Sequence, residues 1–454
     1  MRRIALLLSL LLVSAASFAP ANAGSTLVYK APGVGGFMSP NVTYVGTIPI
    51  DSPGIGGRMV QVGTQKRFYV TGARGLTVYD VTNPALPIPL GALEAPHWEN
   101  EDVSVSADGN TVIISVEAGA MYVIDASALP VLKIVGTATF GGHTSSCVTP
   151  NCEWVYSSGG NIYDLRDKTK PVMISRKWNT GHRFNNQAVG VSGIHDLNLV
   201  GPNLVITDST PRLVLDVTVP DTPKLLSLGK PNPGSVQNFS DPRLQHNSIR
   251  PNGDAWVPRD PANPADVADT NLRPGELFLG NSELNANTDC AMAGGFSTWT
   301  MRDFDKGVAM KQVEVFRPVR GKGDYDTDGN PAVNGLGCSG HWFTERNGIV
   351  AASWYEHGVR FLTYDAATGK NIRQLGYFQP VVTSASASHW VTAADGSEYV
   401  YSVDYARGID ILKFNRTAPV PTEEQFRASW LAKLGTIDPA AQAERMRCAL
   451  GADK

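Results

Sequence analysis

An all-β fold is predicted: a seven-bladed β-propeller closed by an N-terminal strand and followed by a short C-terminal helical tail. Three observations in the 454 residues lead there. Gly (45) and Pro (30) are in excess while 42% of residues are hydrophobic and 18% charged, a globular chain with many turns and few long helices. A unit of roughly fifty residues recurs, the period of four-stranded propeller blades. The last unit lacks one strand, and the other end of the chain holds a spare one.

In chain order, residues 1–23 read as a signal peptide. Arg2 and Arg3 precede the apolar run Ile4 to Val13, and Ala21-Asn22-Ala23 is a cleavage site that leaves Gly24 first. The run is too short to span a bilayer, and no later stretch qualifies as an anchor. The expectation is a soluble exported protein, extracellular or periplasmic. There disulfides form. Cys147 and Cys152 flank four residues that look like a hairpin tip and are paired first; Cys290 with Cys338 is the next pairing, and Cys448 is left over. No C-x-x-C spacing points to a cysteine metal site.

Residues 24–416 carry the repeat. Its clearest signal is a third strand ending in Asp: Gly75-Leu76-Thr77-Val78-Tyr79-Asp80, Met121 to Asp125, Arg212 to Asp216 and Phe361 to Asp365, with weaker copies ending at Asp164 and Asp303, and Asn415 in that place at the end. Pro84, Pro130, Pro171 and Pro220 follow several of them. The units start near residues 58, 97, 143, 195, 246, 341 and 389. Two apolar faces per blade demand a neighbour on each side, which a ring supplies. The seventh unit has only three strands. Tyr44-Val45-Gly46-Thr47-Ile48 copies Ile134-Val135-Gly136-Thr137-Ala138 and is predicted to complete it, removing a sheet edge. Residues 253–273 interrupt the fifth unit as a surface loop. Residues 417–454 form the helical extension, opening at Thr422-Glu423-Glu424 with Phe426, Trp430, Leu431 and Leu434 at helical spacing.

The run Gly75-Leu76-Thr77-Val78-Tyr79-Asp80-Val81-Thr82-Asn83-Pro84 resembles the LVIVD-repeat family. The resemblance implies a propeller, often secreted or surface-associated. It implies no reaction.

Six of the eight histidines begin a unit: His97, His143, His195, His246, His341 and His389. In units 5, 6 and 7 the His precedes the turn residue Asn252, Asn347 or Asp395 by six positions; in units 3 and 4 the gap is eight. In unit 2 Asp102 holds the six-residue register and His97 lies outside it. The start of an innermost strand lies at one mouth of the central channel. His143, His195, His246, His341 and His389 are therefore expected to converge there, with His97 peripheral and Asp102 nearer the axis. Imidazole suits Cu, Zn, Fe or Ni. Nitrous oxide reductase, whose propeller carries copper on channel histidines, is an analogy of fold alone. The structural alternative is a His bonded within each blade, as in WD repeats, copied by duplication. Trp98, Trp342 and Trp390 each follow such a His and are expected to pack between blades.

Asp324, Asp326 and Asp328, followed by Gly329, alternate as calcium ligands do, but Gly335 stands where an EF-hand has its Glu. A loop Ca²⁺ site or a solvated acidic loop both fit. No G-x-S-x-G, H-E-x-x-H or phosphate-binding loop occurs. Acid–base candidates are His195-Asp196 with Glu99, Glu101 and Asp102. A net charge of −3 argues against a nucleic-acid partner. The reading is an exported binding or interaction module for an unidentified protein or small molecule. Its rivals are a metal-dependent, copper-like oxidoreductase using the histidines and a hydrolase using channel carboxylates.

Overall fold

The computed structural model describes residues 37–49, 54–72, 74–95, 102–116, 119–230, 244–283, 294–318, 339–380 and 383–420, with 422, 425 and 428. The signal segment, His97, Glu99, Glu101, Cys290, Cys338, Cys448, the Asp324–Asp326–Asp328 loop and nearly all of the helical extension lie outside the described residues. Thr422 and Gln425 are within them. The Gln425 side chain accepts from Thr422 N at 2.8 Å and Gln425 N donates to Thr422 Oγ1 at 3.2 Å, the reciprocal bonds of a capping box at a helix start.

Four-stranded antiparallel sheets follow one another along the chain. Unit 1 covers 54–94, unit 2 103–139, unit 3 145–177, unit 4 197–230, unit 5 244–316 and unit 6 343–379, with Phe37–Met38 added to the edge of unit 6. Unit 7 is Ala385–Thr392, Glu398–Asp404 and Gly408–Phe414, and Val42–Ile48 pairs antiparallel with its last strand. Units 4 and 5 share one eight-stranded sheet, because Gly229 and Lys230 pair in parallel with Met310 and Lys311. Between units 3 and 4 a small hairpin, Arg183–Phe184 with Gln187–Ala188, carries no repeat signal in the sequence.

The recurring Asp has a local job. Asp80 Oδ1 accepts from Thr82 N at 2.8 Å, Asp125 from Ser127 N at 2.9 Å, Asp164 from Arg166 N at 3.0 Å, Asp216 from Thr218 N at 2.9 Å and Asp365 from Ala367 N at 2.9 Å. Each folds the chain into an Asx turn; at Asp80, Asp164 and Asp216 it ends the third strand, at Asp365 it follows the strand by two residues, and at Asp125 the strand runs on to Ala128. Asn415 does the same toward Thr417 N at 3.1 Å. Asp303 differs: it lies past the strand Phe296–Thr300 and has φ 56°, before a short 3-10 turn. The fourth-strand Gly is required by what packs on it. A Cβ on Gly136 would stand 2.1 Å from Lys168 O, and one on Gly91 2.6 Å from Pro130 O. The turn after the third strand of one unit thus seats on the glycine of the unit before.

The core is divided among the interfaces between units. Tyr69, Leu76 and Val78 of unit 1 pack with Val112, Ile114 and Ile124 of unit 2. Equivalent buried clusters join units 2 and 3, 3 and 4, 4 and 5, 5 and 6, and 6 and 7. Phe68, Val70 and Val81 of unit 1 pack with Tyr401, Val403 and Ile409 of unit 7 and with Ile48. Trp342 and Trp390 are buried in these clusters. The loop 250–276 is tied down by Arg259, which pairs with Glu276 at 2.5 Å and donates to Asp269 O and Asn271 O. No helix among the described residues is long and apolar enough to cross a membrane.

Cys147 and Cys152 are bonded across the turn that joins Ser145–Cys147 to Trp154–Ser157. Closing so short a loop is worth about 2 kcal/mol by loop entropy. Replacing both cysteines by serine is expected to lower stability by about that amount, and non-reducing peptide mapping is expected to recover the linked pair. Finding two free thiols in the mature protein would remove the bridge from the fold.

Candidate histidine centre

The inner strands start with a shared irregularity. In unit 4, His195 N donates to Asp208 O at 2.8 Å while Asp208 N donates to Asp196 O at 2.7 Å, so two residues face one. In unit 6, His341 N donates to Ser353 O at 2.9 Å and Ser353 N to Trp342 O at 3.0 Å. In unit 5 the register slips between Gln245 and Asn247, which leaves His246 as the extra residue. These are β-bulges, which release a side chain from cross-strand pairing and re-aim it. In unit 3, Ser158 N donates to Thr144 O at 3.0 Å, and His143 is the next residue out. Unit 7 bulges at Ser386, between Ala385 and Ala387, and unit 1 between Gly54 and Gly57.

Four rings are thereby set in file. His143 and His195 have centroids 4.6 Å apart, His195 and His246 4.0 Å, and His246 and His341 4.1 Å. His143 Nε2 and His195 Nε2 are 3.0 Å apart. Glu283, at the end of the second strand of unit 5, enters the file: its Oε2 is 3.9 Å from His195 Nε2 and 3.8 Å from His246 Nε2. Its other oxygen accepts from Tyr355 OH at 2.6 Å, and the Tyr355 ring lies 4.7 Å from that of His341. His341 Nδ1 donates to Ser386 O at 2.7 Å, which fixes the tautomer and directs the Nε2 lone pair outward. Asp196 Oδ2 is 3.8 Å from His195 Nδ1. His195, Asp196, His246, Glu283 and His341 are all buried, and His143 is half-buried.

His389 does not join the file. Its ring contacts Phe68 at 5.2 Å, and a Cβ on Gly57 would stand 3.1 Å from its Nε2. Burial, reinforced by the charge of Arg58, presses its pKa down to about 3, so the ring is neutral. Two further histidines begin no unit. His182 bonds to Trp178 O, and His357 follows the second strand of unit 6.

Asp102 lines a cavity of about 320 Å³ with Arg58, Gln61, Asn198 and Thr149. Burial first, and the charge of Asp196 second, push its pKa up to about 7, against the hydroxyl of Ser146 at 2.8 Å. Arg212 is fully buried. It pairs with Asp208 and donates to Gln245 Oε1 and Asn281 O, both at 3.0 Å.

Glu283 and Tyr355 were not among the sequence candidates. One signal was available for them. The second strand of a unit runs back toward the mouth where the first begins, so polar residues at its end, such as Glu283 and Tyr355, return to the level of the histidines.

No protein-family model matches the chain, and no curated protein matches it. Among solved structures, the chain is similar to the β-propeller domain of Cps50 (Swd1) from Myceliophteria thermophila. The TM-score is 0.50 at 11% identity, over 83% of this chain and 99% of that one. The likeness is one of fold: this chain is a β-propeller.

Proposed function

We propose that the chain is an exported, seven-bladed β-propeller binding protein, closed by its N-terminal strand, that holds a transition-metal ion at one mouth of its channel. His195, His246, His341 and Glu283 supply the ligands, with His143 beside them. The observation that carries this reading is the file of imidazoles from successive units with Glu283 Oε2 set between two of them. Buried carboxylates are stable when paired or bound to a cation. Neutral imidazole with one carboxylate is a donor set suited to Zn, Cu, Fe or Ni. The bonds Tyr355–Glu283 and His341–Ser386 orient ligands from outside, as metal centres require. Export is read from residues 1–23.

The test is elemental analysis of protein purified from its native compartment without chelator, paired with thermal melting before and after added Zn²⁺. A stoichiometric metal and a rise in Tm are expected, since a ligand of the folded state stabilises it. Protein that carries no metal and shows no shift refutes the centre.

Ring closure is supported by the core pairing of units 7 and 1 and by the ladder from Val42–Ile48 to the last strand. Deleting 42–48 removes buried Val42, Tyr44 and Ile48. At roughly 1.5–3 kcal/mol for each buried side chain, a large fall in melting temperature and exposure of a sticky edge strand are expected. Unchanged melting and monodispersity would contradict closure.

A further inference from the structure

We propose that the centre takes two metal ions, joined through imidazole, and that Asp196 is a ligand of the second. This rests on the reading of the histidine centre as a metal site.

The donors fall into two overlapping sets. One is His246, Glu283 and His341; the other is His195, Asp196 and His246; within each, one ligand atom per residue lies within 4.8 Å of the others. His246 belongs to both. His195 has a carboxylate at each nitrogen: Nδ1 is 3.8 Å from Asp196 Oδ2, and Nε2 is 3.9 Å from Glu283 Oε2. Ring contacts run between neighbours in the file, from His143 to His195 to His246 to His341. One ion with ligand bonds of about 2.0–2.1 Å cannot gather a file of that length. Two ions can, one on the Glu283 side and one on the Asp196 side.

Asp196 is placed for this role by its bulge, which sets it beside His195 at the same rung. The carboxylates sit at the two different nitrogens of the His195 ring, so each ion meets one negative charge.

A ring that binds an ion at both nitrogens must lose its remaining N–H proton to solvent. Binding of the second ion therefore releases one proton for each ring that bridges. Across an imidazole the ions would stand about 6 Å apart, given metal–nitrogen bonds of about 2.0–2.1 Å.

The experiment is titration of metal-free protein with Zn²⁺ and with Cu²⁺, read by native mass spectrometry and, for copper, by electron paramagnetic resonance. Two ions per chain are expected, with the copper signal well below the copper content because bridged Cu(II) spins couple. Asp196→Asn is expected to bind one ion and to restore a full signal from that copper. Glu283→Gln, with Asp196 intact, is expected to lose the other ion. Circular dichroism of the metal-free variants checks folding, and if Asp196→Asn does not fold, the wild-type stoichiometry and coupling decide alone. One ion per chain with a full copper signal overturns the paired centre and leaves the single site standing. No binding of either metal overturns both.

Discussion

His246→Gln should lose the metal. His246 is fully buried, stands between His195 and His341, and faces Glu283 at 3.8 Å. Removing its imidazole breaks the file at its centre, and an affinity loss beyond the roughly 10–100-fold typical of supporting residues is expected. The stabilisation that saturating metal confers, about 2.7 kcal/mol at a hundredfold excess over Kd, should vanish with it. Tyr355→Phe is the graded companion. It removes only the hydroxyl that holds Glu283 Oε1, and should weaken binding by roughly 10–100-fold with the fold intact. Equal metal content in His246→Gln and wild type would remove this ring from the centre.

Acid should unfold the protein through His389. Its pKa is pressed from 6.5 to about 3 in the folded chain, by burial first and Arg58 second. The unfolded state takes up a proton below about pH 6.5 and the folded state does not. Stability from this group is therefore whole above pH 6.5 and falls as pH drops toward 3, by about 1.4 kcal/mol per unit. In metal-free protein, so that the other histidines do not titrate against bound metal, urea unfolding between pH 7 and 4 should show this slope. His389→Gln, although less stable at pH 7, should lose about one proton's worth of it. Parallel acid limbs in the two proteins would show that His389 is not the group responsible.

The repeat was legible because its two marks are backbone devices. Asp at the third-strand end makes an Asx turn, and Gly on the fourth strand admits the next unit's turn. Neither can be exchanged freely, so both stay visible in the sequence. The histidine level was legible less evenly, because it was counted from turn residues. In unit 6 the hairpin closes through Asn347 and Gly348, between Arg346 and Ile349, whereas in unit 7 five residues separate Thr392 from Glu398. The same spacing to the turn therefore leaves His341 five residues from the strand end and His389 three. Ser386 is what stands beside His341 instead. Glu283 could be reached only through the return of the second strand to the mouth, not by counting from the turn. It comes from a second strand, and its place depends on an insertion, 250–276, that lengthens the hairpin without moving the mouth.

The bulges separate what the ring needs from what it can bind. At a bulge two residues face one across the ladder, so the extra side chain is released from cross-strand pairing. Isoleucine, histidine and serine occupy this rung in units 1, 4, 5, 6 and 7 as Ile55, His195, His246, His341 and Ser386. The rung behaves as a dial with one setting per unit. Ser386→His and Ile55→His would extend the file toward the opposite side of the channel, and the reverse exchanges would shorten it, although Ser386→His would also remove the Ser386 Oγ bond to Ile55 O between units 7 and 1. Ligand choice in such a scaffold is written at single positions, and the architecture does not have to be renegotiated when one of them changes.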